Sequence, residues 1–298
     1  MLNIKNLKTK VILAPYTTYK IGGPADYFFV ANTKQDLINS VIEVRKNNIP
    51  YFILGSGANI LFGDKGFRGL VIKNEANSIT FHNNTVIVDS GVVVFDLINA
   101  TKNKNLSGFE HFAGIPSTIG GALWQNLHFL SPDRTETVFM DSILKSAEIL
   151  DEDNNICKVD REFFKFGYDY SILHDRKLIV TEATFVLVPK DISLIQKQIE
   201  ENLEWRNEKQ PQLDEFPSCG SVFKKIEGVG AGRLIEKAGL KGYKIGGAQI
   251  SEKHANYIVN TGRATAFDVL SMISLVKEKV KNDTGYVLEP EISFIGEF

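Results

Sequence analysis

The sequence predicts an α+β protein of more than one lobe, on three observations. Short apolar runs that stop at glycine or asparagine alternate with stretches whose apolar residues recur at helical spacing. The pattern changes after residues 189–191, where a long helix with a periodic apolar face is expected to begin. With 298 residues and 43% apolar side chains, the chain has room for roughly two or three lobes that bury a core.

Thr33, with Asp36 three residues later, has the form of a helix start, and Leu37, Ile38, Val41 and Ile42 follow at helical spacing up to about Asn47 and Asn48. Residues 51–54 and 67–72 are apolar runs expected as small strands, giving a first α/β lobe. Residues 86–88 are expected as a strand and 95–101 as a helix. Runs at 143–150 and 157–159 flank Asp153-Asn154-Asn155 in the manner of a hairpin, and 178–188 is a long β-rich run. Asp191 is the expected N-cap of a helix carrying Ile192, Ile195, Ile199 and Leu203. The domain boundary is therefore placed there, with one domain over 1–190 (lobes of about 1–75 and 76–190) and a second over 191–298. Beyond it, a helix around 234–238 stops at Gly239, a strand covers 257–259, a helix spans about 266–281, and 287–295 is expected as the last strand.

Lys plus Arg number 34 against 36 Asp plus Glu, a formal net charge of −2. Such a chain has no overall field for nucleic acid or an anionic membrane, so any anion site must be local. Cys157 and Cys219 are too few for a disulfide framework or a four-ligand zinc site, and their use fits a reducing cytoplasm. No metal site is expected. No uncharged stretch approaches a bilayer span and residues 1–14 lack a continuous apolar segment, so neither membrane insertion nor secretion is expected.

Two glycine-rich segments carry the chemistry. In Gly55-Ser56-Gly57-Ala58-Asn59 the small residues let backbone N–H groups approach a diphosphate, although alone the segment reads equally as a tight turn. The dinucleotide fingerprint needs a third glycine where Ile60 stands, and no Gly-Lys-Ser/Thr loop occurs. In Gly114-Ile115-Pro116-Ser117-Thr118-Ile119-Gly120-Gly121, Pro116 is placed to open a helix, and hydroxyls and N–H groups are placed to bind an anion. Either segment also reads as glycines packed on a neighbouring backbone, but two together favour a dinucleotide over a single phosphate.

These loops follow Thr18-Tyr19-Lys20-Ile21-Gly22-Gly23-Pro24-Ala25, in an order and spacing that resemble the UDP-N-acetylenolpyruvoylglucosamine reductases. Lys209-Gln210-Pro211, Pro217-Ser218-Cys219-Gly220-Ser221-Val222-Phe223-Lys224, Ala231-Gly232-Arg233-Leu234-Ile235-Glu236, Ser251-Glu252-Lys253-His254-Ala255-Asn256 and Leu288-Glu289-Pro290-Glu291 extend the resemblance over nearly the whole chain. The short connection from Ser171 to Leu178 resembles the family's shorter subtype, which lacks an inserted substrate-covering loop.

The resemblance implies a two-lobed FAD-binding domain of the vanillyl-alcohol-oxidase type, followed by a smaller α/β domain that binds the substrate. It implies noncovalent FAD, NADPH as reductant, and UDP-N-acetylglucosamine enolpyruvate as the substrate converted to UDP-N-acetylmuramate, a cytoplasmic step of peptidoglycan synthesis. On the same resemblance the two glycine-rich loops hold FAD, Ser221 is the proton donor and Glu291 the catalytic glutamate. Lys209 meets the nucleotide-sugar diphosphate, and Tyr168 and His254 face the substrate. Hydride addition to the enol ether of a carboxylic acid builds negative charge on the carboxylate side, so the chemistry asks for an acid or cation there and for a positioned proton donor.

Without the family, the same residues read more plainly. A serine beside glycine is a turn residue, a lysine late in an exposed helix is solvated, and an isolated histidine is structural. In an extended strand Glu289 and Glu291 share a face, on which a buried carboxyl would stay protonated; the other reading is a solvated edge strand interrupted by Pro290.

Three departures stand out. The family's Tyr-Arg-Tyr-Ser is Tyr168-Asp169-Tyr170-Ser171, a charge reversal at the catalytic arginine. Its Gln-Asn-Ala-Gly-Ala-Tyr-Gly becomes Gln125-Asn126 followed by Leu127-His128-Phe129-Leu130-Ser131-Pro132, and its Asn-Pro after Phe223-Lys224 becomes Lys225-Ile226. Lys225 is accordingly the expected substitute for the arginine, with Asp169 turned toward it or toward solvent. Two other readings stay open: an FAD oxidoreductase with a changed substrate, and a flavin- or nucleotide-sugar-binding protein without turnover. The presence of both Ser221 and Glu291 favours turnover.

Overall fold

The computed structural model describes residues 2–226 and 228–298, which pack as two compact units built from interleaved stretches of chain. The first unit takes the N-terminal residues to Asn6, Phe29–Ser56 and Ile72–Arg206. Its centre is a five-stranded antiparallel sheet in the order Ile156–Asp160, Leu144–Leu150, Ile179–Val186, Thr85–Asp89, Ile79–His82. The hairpin expected around 153–155 is present. Asn154 is left-handed at φ 67°, and the Asp151 carboxylate accepts the N–H groups of Asp153 and Asn155 at 2.9 and 2.7 Å. The long run expected over 178–188 breaks at Leu187, whose N–H leaves the ladder for the Asn84 carbonyl at 2.8 Å, so Val188–Pro189 pairs instead with Leu106–Ser107.

Four helices begin in this unit: α1 (Lys34–Lys46), α2 (Val94–Lys102), α3 (Ile119–Gln125) and α4 (Ile192–Lys209). Thr33 and Asp36 form the reciprocal cap of α1 at 3.1 Å each way. Pro116 does not open α3. Residues 117–118 are instead held extended, with Val94 N–H on the Ser117 carbonyl and Ile119 N–H on the Val92 carbonyl, both at 2.9 Å, and the helix starts at Ile119, just past Thr118. Asp191 accepts the Ser193 N–H at 2.8 Å, as its capping position requires. The expected domain boundary falls at the start of α4, while the helix stays with the first unit as far as Arg206. Phe109, Phe112, Phe164 and Phe185 are fully buried in the core, with Ile195 and Ile199 of α4 packed among them.

The second unit takes Leu7–Phe28, Gly57–Val71 and Asn207–Phe298. A three-stranded antiparallel sheet, Lys244–Ile245, Ala248–Ile250, Ile258–Asn260, packs with α5 (Ala231–Lys237) and α6 (Ala266–Thr284) around Tyr19, Val222, Phe223 and Met272. Helix α6 is capped twice. Thr265 and Asp268 form a reciprocal cap, and the Asp64 carboxylate accepts the N–H groups of Ala266 and Phe267 at 2.8 and 3.1 Å. The strand expected over 287–295 is regular only at Ser293–Ile295, where it runs parallel to Ile60–Phe62. Pro290 has no N–H to give, and its neighbours bond irregularly, Glu291 N–H to Val222 and Lys224 N–H to Glu289. Among the described residues, no helix is long and apolar enough to cross a membrane.

Candidate active site

In the first unit, strand Tyr51–Leu54 delivers the chain into the loop that opens at Gly55. None of the N–H groups of Gly55, Ser56, Gly57, Ala58 and Asn59 enters a backbone hydrogen bond among the described residues. Gly57 is left-handed at φ 65°, which only glycine adopts without cost. A β-carbon on Gly55 would lie 2.4 Å from Thr118 Oγ1, so the two glycine-rich loops touch. Lys73 Nζ donates to the Gly55 carbonyl at 2.7 Å, and burial holds its pKa below the usual lysine value.

In the second loop Gly114 is left-handed at φ 82°, and Ile115 packs on the core beyond it. Gly120 donates to the Ser90 carbonyl at 2.7 Å and would bring a β-carbon to 3.2 Å from the same oxygen. A β-carbon on Gly121 would lie 3.3 Å from Ser117 Oγ. The N–H groups of Gly114, Ser117 and Thr118 enter no backbone hydrogen bond among the described residues. Unused backbone donors on two segments, with Gly55 packed directly on Thr118 because it lacks a β-carbon, fit the diphosphate of a dinucleotide such as FAD.

The altered segment lies in the same unit. Asn126, left-handed at φ 50°, ends α3 and donates from Nδ2 to the Gly167 carbonyl at 3.1 Å. The chain then forms a hairpin of His128–Leu130 with Thr137–Phe139, placing His128 opposite Phe139. The His128 ring centre is 4.5 Å from that of Tyr168, itself 47% exposed, and 5.1 Å from that of Phe139. Asp169, left-handed at φ 54° in the tight turn closed by Gly167 and Tyr170, carries a side chain only 8% exposed. Neither carboxylate oxygen accepts a hydrogen bond among the described residues, and His128 Nδ1 is 3.8 Å from Oδ1. The expectation that Asp169 turns toward solvent is corrected, because the turn buries it beside His128; Lys225, in the second unit, is exposed.

In the second unit, left-handed Gly220 (φ 82°) leads into half-buried Ser221. The next residue ties three segments together. Val222 donates its N–H to the Asn256 carbonyl and accepts the Glu291 N–H on its own carbonyl, both at 2.8 Å. The Asn256 side chain grips Phe223 at both ends of its backbone, at 3.0 and 2.8 Å. Ser221 and Glu291 are therefore held on adjoining segments. Burial, and secondarily the charge of Glu291, raises the Cys219 thiol far above its usual pKa, which makes it an inert core group. Glu289 does not share a buried face with Glu291. It is 70% exposed and 3.4 Å from Lys224, because the segment around Pro290 is not a strand.

The remaining candidates are placed less pointedly. His254 Nδ1 accepts the Asn256 N–H at 3.3 Å, its ring lies 4.9 Å from that of Tyr257, and burial, then Lys241, lowers its pKa, so it is neutral at pH 7. Lys209, at the end of α4, is half exposed and paired with Glu208. Thr18, whose N–H and Oγ1 each reach the Gly57 carbonyl at 3.2 Å, and Asn256 stand in segments that carry the family resemblance, which was their only signal. Nothing in the sequence singles out Lys73.

Residues 25–160 match the model of an FAD-binding domain, and residues 210–295 match the C-terminal domain of UDP-N-acetylenolpyruvoylglucosamine reductase. The reductase of that name from Caldanaerobacter subterraneus subsp. tengcongensis is 42% identical over 283 residues, covering 95% of this chain and 91% of the relative. One from Clostridium perfringens is 39% identical over 285 residues, covering 95% and 91%. The crystal structure of the enzyme from Thermus caldophilus superposes with a TM-score of 0.80 at 31% identity, over 97% of this chain and 99% of that one. The fold joins an FAD-binding domain to the reductase C-terminal domain, and the chain belongs to the UDP-N-acetylenolpyruvoylglucosamine reductase family.

Proposed function

We propose that this chain is the FAD-dependent enzyme that reduces UDP-N-acetylglucosamine enolpyruvate to UDP-N-acetylmuramate with NADPH, in the cytoplasmic synthesis of peptidoglycan precursor. The observation that supports it most is the joining of Ser221 and Glu291 through the Val222 peptide, in a chain 42% identical to a reductase of that name. Bound FAD supplies the hydride that NADPH provides and the vinyl carbon accepts. The loops at 55–59 and 114–121 would hold its diphosphate without a covalent link. Ser221 Oγ gives a proton to the carbon next to the carboxylate, and Glu291, acting as a protonated carboxyl, donates a hydrogen bond to the negative charge that develops there. Lys209, Tyr168, His254 and Lys225 are the substrate-side residues of this reading, and no nucleic acid or membrane partner enters it.

One observation favours a second reading, an FAD oxidoreductase with a changed substrate: Asp169 places a buried carboxylate where the family motif has arginine. The deciding experiment reduces the purified holoprotein anaerobically with NADPH, adds the enolpyruvyl sugar and follows flavin reoxidation. Rapid reoxidation with formation of UDP-N-acetylmuramate supports the first reading. Reduction without reoxidation by this sugar supports the second, and binding without reduction leaves a binding protein.

A further inference from the structure

The substrate of the proposed reaction carries a carboxylate that a positive donor must meet, and the first unit contains a pair of residues built to present one. We propose that His128 and Asp169 act as a dyad, in which Asp169 positions the imidazole and His128 Nε2 receives the substrate carboxylate. This rests on the functional reading above.

The geometry fixes the roles. His128 Nδ1 faces two oxygens, the Asn126 carbonyl at 3.1 Å and Asp169 Oδ1 at 3.8 Å, so this nitrogen carries a proton. Nε2 has no partner among the described residues and is the ring's free position. A carboxylate ligand needs a donor at Nε2, the nitrogen left open to it, and Asp169 lies on the opposite side of the ring at Nδ1. The side chains are 18% and 8% exposed respectively, so an incoming ligand meets the imidazole before the aspartate. Phe139 and Tyr168 wall the ring and limit its rotation. Asp141, two residues past Phe139, is engaged by Arg161 at 2.7 Å. The dyad also accounts for a buried carboxylate whose two oxygens are otherwise unbonded, an arrangement that costs stability unless a charged or donor partner is close. Asp169 is thus a positioning residue and His128 the carboxylate receiver, made possible because the altered segment puts histidine opposite Phe139 on the hairpin.

The test observes the imidazole nitrogens of His128 by ¹⁵N NMR in the FAD holoprotein during titration with UDP-N-acetylmuramate, and in parallel with UDP-N-acetylglucosamine, which lacks the carboxylate. The His128 Nε2 signal is expected to move with the first ligand and not with the second. Calorimetric Kd for UDP-N-acetylmuramate is expected to rise about tenfold or more in both His128→Ala and Asp169→Asn. The double variant should be no weaker than His128→Ala alone, and His128→Arg should recover part of the loss. An unmoved Nε2, a wild-type protein that does not bind UDP-N-acetylmuramate, additive losses, or a tenfold loss found in Lys225→Asn in place of the His128 variants would overturn the dyad. If the ligand binds and moves Nε2 while the reduced wild-type enzyme is not reoxidised by the enolpyruvyl sugar, the functional reading fails and the dyad stands.

Discussion

Gly55 and Thr118 stand so close that a β-carbon on the glycine would lie 2.4 Å from the threonine hydroxyl oxygen. The contact seats Gly55 directly on the second glycine-rich loop, so a side chain at Gly55 must displace Thr118.

Flavin retention should report this directly. Gly55→Val and Gly57→Val are expected to weaken FAD binding by at least about tenfold, or about 1.4 kcal/mol, the first by forcing Thr118 away and the second by straining a left-handed residue. Gly120→Val should act in the same direction, because its β-carbon would press on the Ser90 carbonyl. The measure is FAD titration of the apoprotein, read as flavin fluorescence quenching. Wild-type affinity in all three would remove the loops from the cofactor site.

Ser221→Ala is expected to slow reoxidation of the reduced enzyme by the enolpyruvyl sugar about 10²- to 10⁴-fold, the usual worth of a positioned acid. Reduction by NADPH should change little. Stopped-flow absorbance separates the half-reactions, and equal losses in both would indicate damage to the flavin site instead.

Asn256→Ala tests the clamp behind that serine. The substitution leaves the buried N–H and carbonyl of Phe223 without their side-chain partner, at a cost of about 1–3 kcal/mol each. Unfolding by urea should show reduced stability, and kcat should fall as Ser221 loses its fixed place. Unchanged kcat in a destabilised variant would make Asn256 purely structural.

Acidification should destabilise the second unit through His254, whose pKa is lowered by burial. A histidine with a folded pKa below its unfolded value of about 6.5 takes up a proton more readily when unfolded. Its contribution is therefore complete above about pH 6.5 and is lost as pH falls through the lowered folded value. His254→Asn, which keeps an acceptor for the Asn256 N–H, should reduce the loss of Tm between pH 7 and pH 5. An identical slope in the variant would assign the acid sensitivity elsewhere, with His111, also lowered by burial, the next group to change.

Local chemistry was the legible part of this chain. The caps at Thr33 and Asp191 and the turn at 153–155 involve partners within a few residues, so the sequence marks them. The division into units was not legible, because Leu7–Phe28 and Gly57–Val71 pack with the C-terminal third through contacts that leave no periodic trace. Ser221 and Glu291 were readable as candidates through family resemblance, but their junction at Val222 depends on an irregular segment around Pro290 that reads as strand. Asp169 was recognisable as a charge reversal. Its partner was not, since His128 lies far away in sequence and meets it only after Asn126 and the hairpin have turned the chain.

The parallel pairing of Ser293–Ile295 with Ile60–Phe62 joins two segments far apart in sequence. Ser293 N–H holds the carbonyl of Asn59, the last residue of the first glycine-rich loop, so the C-terminal end of the chain anchors a segment made early in synthesis. The loop's other ties, from Thr18 to the Gly57 carbonyl and from Lys73 to the Gly55 carbonyl, come from nearer in sequence, so the pairing with Ser293–Ile295 is its long-range closure, the kind that slows folding.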